Sequence, residues 1–173
     1  MSTREGVVRP AGAGDLDRIA EIFSHYVISG VSTFEEVPPV VAHWRQRLDD
    51  LADRRLPFLV AEVGGEVIGY AYAGPWRPKP AYRHTVEDTI YLAPGWTGRG
   101  WGRALLGALL AGCANAGVRQ VIAVIADTGD DASVALHRAF GFTHAGRLGG
   151  VGHKHGRWID TTLMQCDLTP AGD

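Results

Sequence analysis

The segment Gly98-Arg99-Gly100-Trp101-Gly102-Arg103 constrains this chain more than any other. It lies between an apolar strand ending near Leu92 and a long helix starting near Trp101. Glycine enters left-handed backbone without a Cβ clash. The run therefore brings several backbone N–H groups to a helix N-terminus, an arrangement suited to a pyrophosphate. Arg99 and Arg103 add mobile positive charge beside it. The expectation is a phosphorylated cofactor held there.

At 173 residues the chain fits a single domain, 1–173, with enough length to bury a core. An apolar content of 46% and a charged content of 21% are those of an ordinary soluble globule. The net charge of −2 provides no field for nucleic acid. The longest apolar run, Ala104 to Gly112, is far short of the ~18–20 residues that span a bilayer. Residues Met1–Gly6 carry no signal-peptide core, and the two cysteines, Cys113 and Cys166, match no disulfide or metal spacing. A cytoplasmic location and no membrane or nucleic-acid partner are expected.

Helical periodicity places Leu16, Ile19, Ile22, Phe23 and Val27 on one face of a first helix. A polar loop, Ser29 to Pro39, precedes a helix from about Val40 to Asp53. Gly64-Gly65 between the apolar runs 58–63 and 66–72 reads as a hairpin turn. A strand follows from about Tyr82 to Leu92, then the glycine run and a helix to about Ala116. A strand at Arg119–Ala126, a helix at Ala132–Phe140 and strands at 143–151 and 158–167 complete the order β-α-α-β-β-β-α-β-α-β-β. The fold class expected is α/β of the mixed (α+β) kind, a central mixed sheet flanked by helices rather than a doubly wound parallel one.

Two common phosphate loops fit poorly. A Walker loop needs Lys-Ser/Thr after its second glycine, and Trp101-Gly102 follows Gly100 here. A dinucleotide fold would take Asp127 for a ribose, but its third glycine position is Arg103 and its turn follows the strand directly. The segment Trp96-Thr97-Gly98-Arg99-Gly100-Trp101-Gly102 resembles the Gln/Arg-x-x-Gly-x-Gly/Ala pyrophosphate motif of the GNAT superfamily of N-acetyltransferases, which stands at a helix start, but without the motif's first polar residue. The segment Ala135-Leu136-His137-Arg138-Ala139-Phe140-Gly141-Phe142 is similar to that superfamily's helix and Gly-Phe turn. Tyr72–Arg77, Ala81–Tyr91 with its Thr85-x-Glu87-x-Thr89, Ala123–Ile125 and Gly152–Trp158 resemble one branch. That branch is the phosphinothricin acetyltransferase family, which includes enzymes acting on methionine sulfoximine.

The resemblance implies acetyl-CoA as cosubstrate and the amino group of a small amino-acid-like molecule as acceptor. An α-amino group has a pKa near ~8, so roughly a tenth is the free, nucleophilic amine at neutral pH. A base that removes its proton is then useful, and the resemblance puts Glu87 in that role. Asp88, on the opposite face by strand alternation, is the rival. Backbone of Ile90, Tyr91 and Leu92 is expected along the pantetheine, with Gly98, Arg99, Gly100, Trp101, Gly102 and Arg103 at the pyrophosphate. His137 stands where many superfamily members have Tyr and is the candidate donor to the leaving thiolate. Asp130 stands where the family usually has Asn at the cofactor; an ionised carboxylate cannot donate, so Ser133 is the alternative contact.

For the acceptor, Arg77, Lys79 and Arg83 are candidate carboxylate partners, since an arginine fork pairs a carboxylate bidentately. Phe34 and Glu35 are expected to close over the substrate. His144, His153 and His155 lack a completing Cys, Asp or Glu, so no metal is expected. The resemblance also implies a homodimer through the terminal strands. Two other readings stay open: another amine acceptor, such as a polyamine or a peptide N-terminus, and a non-catalytic acyl-CoA-binding module.

Overall fold

The computed structural model describes residues 5–173; the first four residues of the N-terminal segment read above lie outside them. The strands are β1 (Gly6–Pro10), β2 (Phe58–Val63), β3 (Glu66–Pro75), β4 (Thr85–Leu92), β5 (Gln120–Ala126), β6 (Thr143–Lys154) and β7 (Arg157–Asp167). The helices are α1 (Leu16–Ser29), α2 (Val41–Asp53), α3 (Trp101–Asn115) and α4 (Ala132–Ala139). The seven strands follow the order β1-β2-β3-β4-β5-β7-β6. β1–β2, β2–β3, β5–β7 and β6–β7 are antiparallel, whereas β4–β5 is parallel. This is the mixed sheet with helices expected from the element order.

Local chemistry accounts for the boundaries. Gly64 and Gly65 have φ of 59° and 82°, the left-handed pair that a two-residue turn between twisted strands demands. The expected strand from Tyr82 instead begins at Thr85, because Pro80–Tyr82 forms a 3-10 turn. Pro80 supplies the fixed φ that starts such a turn, and the Arg83 amide closes it on the Pro80 carbonyl at 3.1 Å. β6 extends three residues beyond the expected end at Val151, to Lys154, through register shifts at 144–146 and 148–152.

The chain forms two compact units. The first comprises residues through Phe23, Pro39–Ala73 and Thr89–Ala116. Its core buries Leu16, Ile19, Ile68, Leu105 and Leu109. Trp44 meets Phe23, Tyr70 and Tyr72 edge-on at 5.4, 5.5 and 6.4 Å. Such edge-to-face pairs add stabilisation beyond their buried area. Arg9 joins β1, β2 and the 3-10 turn that precedes α1, bonding Asp15 at 2.8 Å and Glu62 at 2.6 Å. The Arg9 hydrogen bond holds the Asp15 carboxyl below its ordinary range, with the Gly12 amide assisting against burial.

The second unit comprises Ser24–Pro38, Gly74–Asp88 and Gly117–Asp173. Val86, Val121, Phe142, Ile159 and Met164 form its buried core. Arg147 spans Asp127 and Asp160, each at 2.8 Å.

Gly69 tests how tightly the first unit is packed. A Cβ there would lie 2.6 Å from Leu92 Cδ2 and 3.1 Å from the Tyr91 carbonyl oxygen. Gly69→Ala is expected to cost about 1–3 kcal/mol by overpacking. Urea unfolding should show a lower midpoint with an unchanged slope.

Candidate functional site

In the first unit, β4 ends at Leu92 and the chain turns through Ala93, whose amide donates to the Ile68 carbonyl at 2.8 Å. Gly95, Gly98 and Gly100 then adopt φ of 85°, 72° and 88°. Gly100 is the N-cap of α3 and provides no side-chain cap. The first amides of a helix lack intrahelical acceptors, and here the earliest ladder bond is Ala104 N–H to the Gly100 carbonyl at 3.1 Å. Among the described residues, no heavy atom outside the chain neighbours lies within 4 Å of where a Cβ at Gly98 or Gly100 would stand. The turn is thus an open backbone surface at the positive end of a helix dipole, and its composition fits a diphosphate.

The side chains around this turn differ in direction. Trp101 turns inward: a Cβ at Gly6 would come within 2.1 Å of its indole. Arg99 is exposed and lies over the Trp96 ring at 4.8 Å, and Arg103 is exposed on the first turn of α3. Ile90, Tyr91 and Leu92 are half-buried on β4. The Tyr91 ring packs edge-on against Phe23 at 5.3 Å, leaving the strand backbone as its distinctive offering.

In the second unit, alternation along β4 buries Val86 and Asp88 and leaves Glu87 half-buried on the other face. Glu87 stands opposite Ile122 of β5. Asp88 Oδ2 lies 2.6 Å from Nε2 of His137, and their side chains are 2% and 7% exposed. The other ring nitrogen, Nδ1, is 2.7 Å from the Ser133 carbonyl oxygen. A carbonyl only accepts, so Nδ1 carries a proton. Burial alone would depress the imidazole pKa; the Asp88 hydrogen bond and charge, with the Ser133 carbonyl, outweigh it and raise it above 6.5. No local pattern signals this contact, because its partners are 49 residues apart in sequence.

Around α4, the Asp130 carboxylate accepts the Ala132 amide at 2.9 Å, and Ser133 is exposed on the first turn. Asp127, the ribose candidate of the dinucleotide reading, is bonded to Arg147.

Arg77, Lys79 and Arg83 are all exposed on the segment between β3 and β4. That segment is closed by the Trp76 amide donating to the Thr85 carbonyl at 3.2 Å. Arg77 lies over the Trp76 ring at 4.8 Å, and Arg83 Nη1 donates to the Pro80 carbonyl at 3.2 Å. The structure therefore gathers three cations on one exposed loop.

Phe34 rests on β6: a Cβ at Gly152 would come within 2.4 Å of its ring. It remains 39% exposed, and Glu35 beside it is exposed. Lys154, 3% exposed, donates from Nζ to the Thr33 carbonyl at 2.9 Å. Burial pushes the Lys154 pKa down, against the opposing pull of Glu36 and Glu35. Sequence reasoning gives Lys154 no role and Asp88 only that of rival base to Glu87. Among the described residues, no group of three His, Cys, Asp or Glu side chains is placed to hold a metal ion. No helix among them is long and apolar enough to cross a membrane.

Comparisons with known proteins converge on one group. The family model described as acetyltransferase (GNAT) family matches residues 18–142. The chain is 49% identical over 166 residues to phosphinothricin N-acetyltransferase of Alcaligenes faecalis, covering 96% of this chain and 84% of that one. It is 38% identical over 164 residues to the L-methionine sulfoximine/L-methionine sulfone acetyltransferase of Pseudomonas aeruginosa, covering 94% and 95%. The Sinorhizobium meliloti phosphinothricin acetyltransferase, solved in complex with acetyl-CoA, superposes with a TM-score of 0.89 at 45% identity, covering 94% and 88%. The Salmonella typhimurium yncA structure, solved with its cofactor acetyl-CoA, gives 0.92 at 32% identity, covering 97% and 96%.

The Asp88–His137 pair carries a pH signature. Below pH 6.5 both folded and unfolded imidazoles are protonated, and the pair contributes in full. As pH rises toward the raised folded value, the unfolded state has lost a proton that the folded state retains, so stability falls. Thermal melts should show this decline above pH 6.5, and Asp88→Asn should flatten it. Asp88→Ala, which strands the imidazole, is expected to cost about 3–5 kcal/mol.

Proposed function

The chain belongs to the acetyltransferase (GNAT) family, and on that premise we propose that it transfers acetyl from acetyl-CoA to the amino group of a small amino-acid-like acceptor. The acceptor is of the phosphinothricin or methionine sulfoximine type. The observation that carries the reading is the open, left-handed glycine turn at the uncapped N-terminus of α3. The names of its relatives support the acceptor class.

Acetyl-CoA supplies a thioester whose acyl carbon accepts the amine as the C–S bond breaks. The amides of Gly98 to Arg103 hold the diphosphate, with Arg99 and Arg103 as screening charge. Backbone of Ile90, Tyr91 and Leu92 lines the pantetheine, and Asp130 and Ser133 border it at α4. Glu87 takes the proton that the attacking amine must lose, directly or through one water. The three cations Arg77, Lys79 and Arg83 orient the acceptor's anionic groups, a charge-assisted pairing stronger than a neutral hydrogen bond. That basic loop favours a zwitterionic acceptor over a polyamine. Phe34 and Glu35 form its outer wall.

The proposal takes the whole chain, 1–173, as a single catalytic domain that works in the cytoplasm without a metal. It also takes the active form as a homodimer joined through the terminal strands. Support for the dimer comes from exposed apolar groups on β6 and β7, with Trp158 at 74% and Val151 at 54% exposure. Such exposed aromatic and aliphatic groups are typical of interface surfaces.

Two measurements test the core of this reading. Calorimetry should detect acetyl-CoA binding that weakens when Gly100→Val forces a β-branched residue into a φ of 88°. Absence of binding to the unaltered protein would refute the assignment. Thiol release over a panel of amino acids, phosphinothricin, methionine sulfoximine and polyamines should single out the amino-acid-like acceptors. Glu87→Gln should lower kcat/KM at pH 7 by about tenfold or more, with acetyl-CoA affinity retained. Near-normal turnover would remove Glu87 from the role.

A further inference from the structure

The parallel ladder between β4 and β5 runs through Thr85↔Gln120 and Val86↔Val121, and its last rung is Glu87↔Ile122. β4 itself continues to Leu92. β5 keeps its other edge paired with β7 as far as Ala126↔Thr161. Glu87 is therefore the last residue that β4 pairs with β5; beyond it the ladder on that edge no longer restrains the strand, which keeps β3 as its neighbour on the other edge. Asp88 is the first residue past that point, and its buried carboxylate reaches α4 at His137.

The imidazole is held at both nitrogens. Nδ1–H donates to the Ser133 carbonyl within the same helix, and Nε2 meets Asp88 at 2.6 Å. Phe142 packs edge-on against the ring at 4.8 Å. A ring so engaged has neither an N–H nor a lone pair directed elsewhere. It is rigidly oriented, and a charge-assisted bond in a site shielded from water is short and directional.

We propose that Asp88 and His137 act together as a positioning clamp: the side-chain bridge from β4 to α4 takes over where the β4–β5 ladder stops, and so fixes the backbone that presents Glu87, while His137 itself gives no proton to the leaving thiolate. The inference rests on the acetyl-transfer reading with Glu87 as base. It gives Asp88 a role and replaces the thiol-directed role expected of His137. Both are positioning residues, since they act through Glu87. Small displacements of a reacting group are costly, a 1 Å error reaching about a hundredfold in rate.

The test uses the conservative pair His137→Gln and Asp88→Asn beside the two alanine variants. In His137→Gln the side-chain amide can donate to the Asp88 carboxylate, and in Asp88→Asn the new amide can donate to Nε2 of His137, so either conservative variant retains a hydrogen bond between the two side chains. The unaltered protein is assayed first with acetyl-CoA and the amine panel. If it transfers nothing, the underlying reading has failed, and the clamp is judged on hydrogen exchange alone. With transfer established, His137→Gln and Asp88→Asn should keep kcat within about tenfold and leave the basic limb of the kcat–pH profile in place. The alanine variants should lose kcat by about a hundredfold, with KM for acetyl-CoA little changed.

Amide hydrogen exchange on the protein without ligand gives the independent readout. Protection at residues 85–88 should survive in the conservative variants and fall at least tenfold in the alanine variants. A His137→Gln enzyme with negligible kcat and no basic limb would overturn the proposal in favour of a proton donor. Folded alanine variants with unaltered kcat and unaltered protection at 85–88 would overturn it outright. Should the alanine variants fail to fold, His137→Gln still decides, because a clamp tolerates it and a proton donor does not.

Discussion

Period-two alternation along β4 is the constraint around which the candidate chemistry is arranged. A strand that buries Val86 and Asp88 on one face must turn Glu87 to the other. The same step therefore commits one carboxylate to the interior and leaves its neighbour half-exposed. An isolated buried carboxylate is costly, and a partner must come from elsewhere in the fold. His137 supplies it from α4, and the raised imidazole pKa is the electrostatic record of that pairing. A pair of this kind contributes little net stability over an apolar substitute, yet losing one member is expensive. Its value lies in direction: it ties a specified point of the strand to a specified point of the helix.

The glycine turn solves a different problem. Backbone that passes through φ of 72° at Gly98 and 88° at Gly100 before entering α3 is barred to most L-residues. Glycine there leaves the helix N-terminus without a covering side chain, so its amides keep their affinity for anions. The adjoining Trp101 ring packs against Gly6 of β1 and stays half-buried, which keeps it from blocking the same surface. Loss of side-chain capping, usually unfavourable for a helix, here leaves the helix N-terminus open.

Polar anchoring recurs on the loop that carries Phe34. Lys154 is almost completely buried, and its ammonium is hydrogen-bonded to a loop carbonyl instead of a carboxylate. Gly152, two residues earlier on the same face of β6, leaves room for the Phe34 ring. Together these contacts hold an exposed aromatic surface on a segment that has no regular secondary structure of its own. Rigid presentation of aromatic groups reduces the entropy lost on binding a small molecule.

Much of this architecture was legible in the residues. The Gly64-Gly65 hairpin, the apolar faces of α1 and α3 and the glycine turn follow from φ preferences and periodicity, which are local properties. Alternation likewise placed Asp88 opposite Glu87. The start of β4 was misjudged because Pro80 stabilises a turn within an otherwise strand-like run. Only the tertiary structure decided that Asp88 meets His137, that Lys154 meets Thr33, and that Phe34 lies on Gly152. These partners are 49 and 121 residues apart in the two hydrogen-bonded cases. The physical reason is the range of the interactions: backbone preference and amphipathic period act within a few residues, whereas a buried charge is satisfied by whatever group the completed packing brings within about 3 Å.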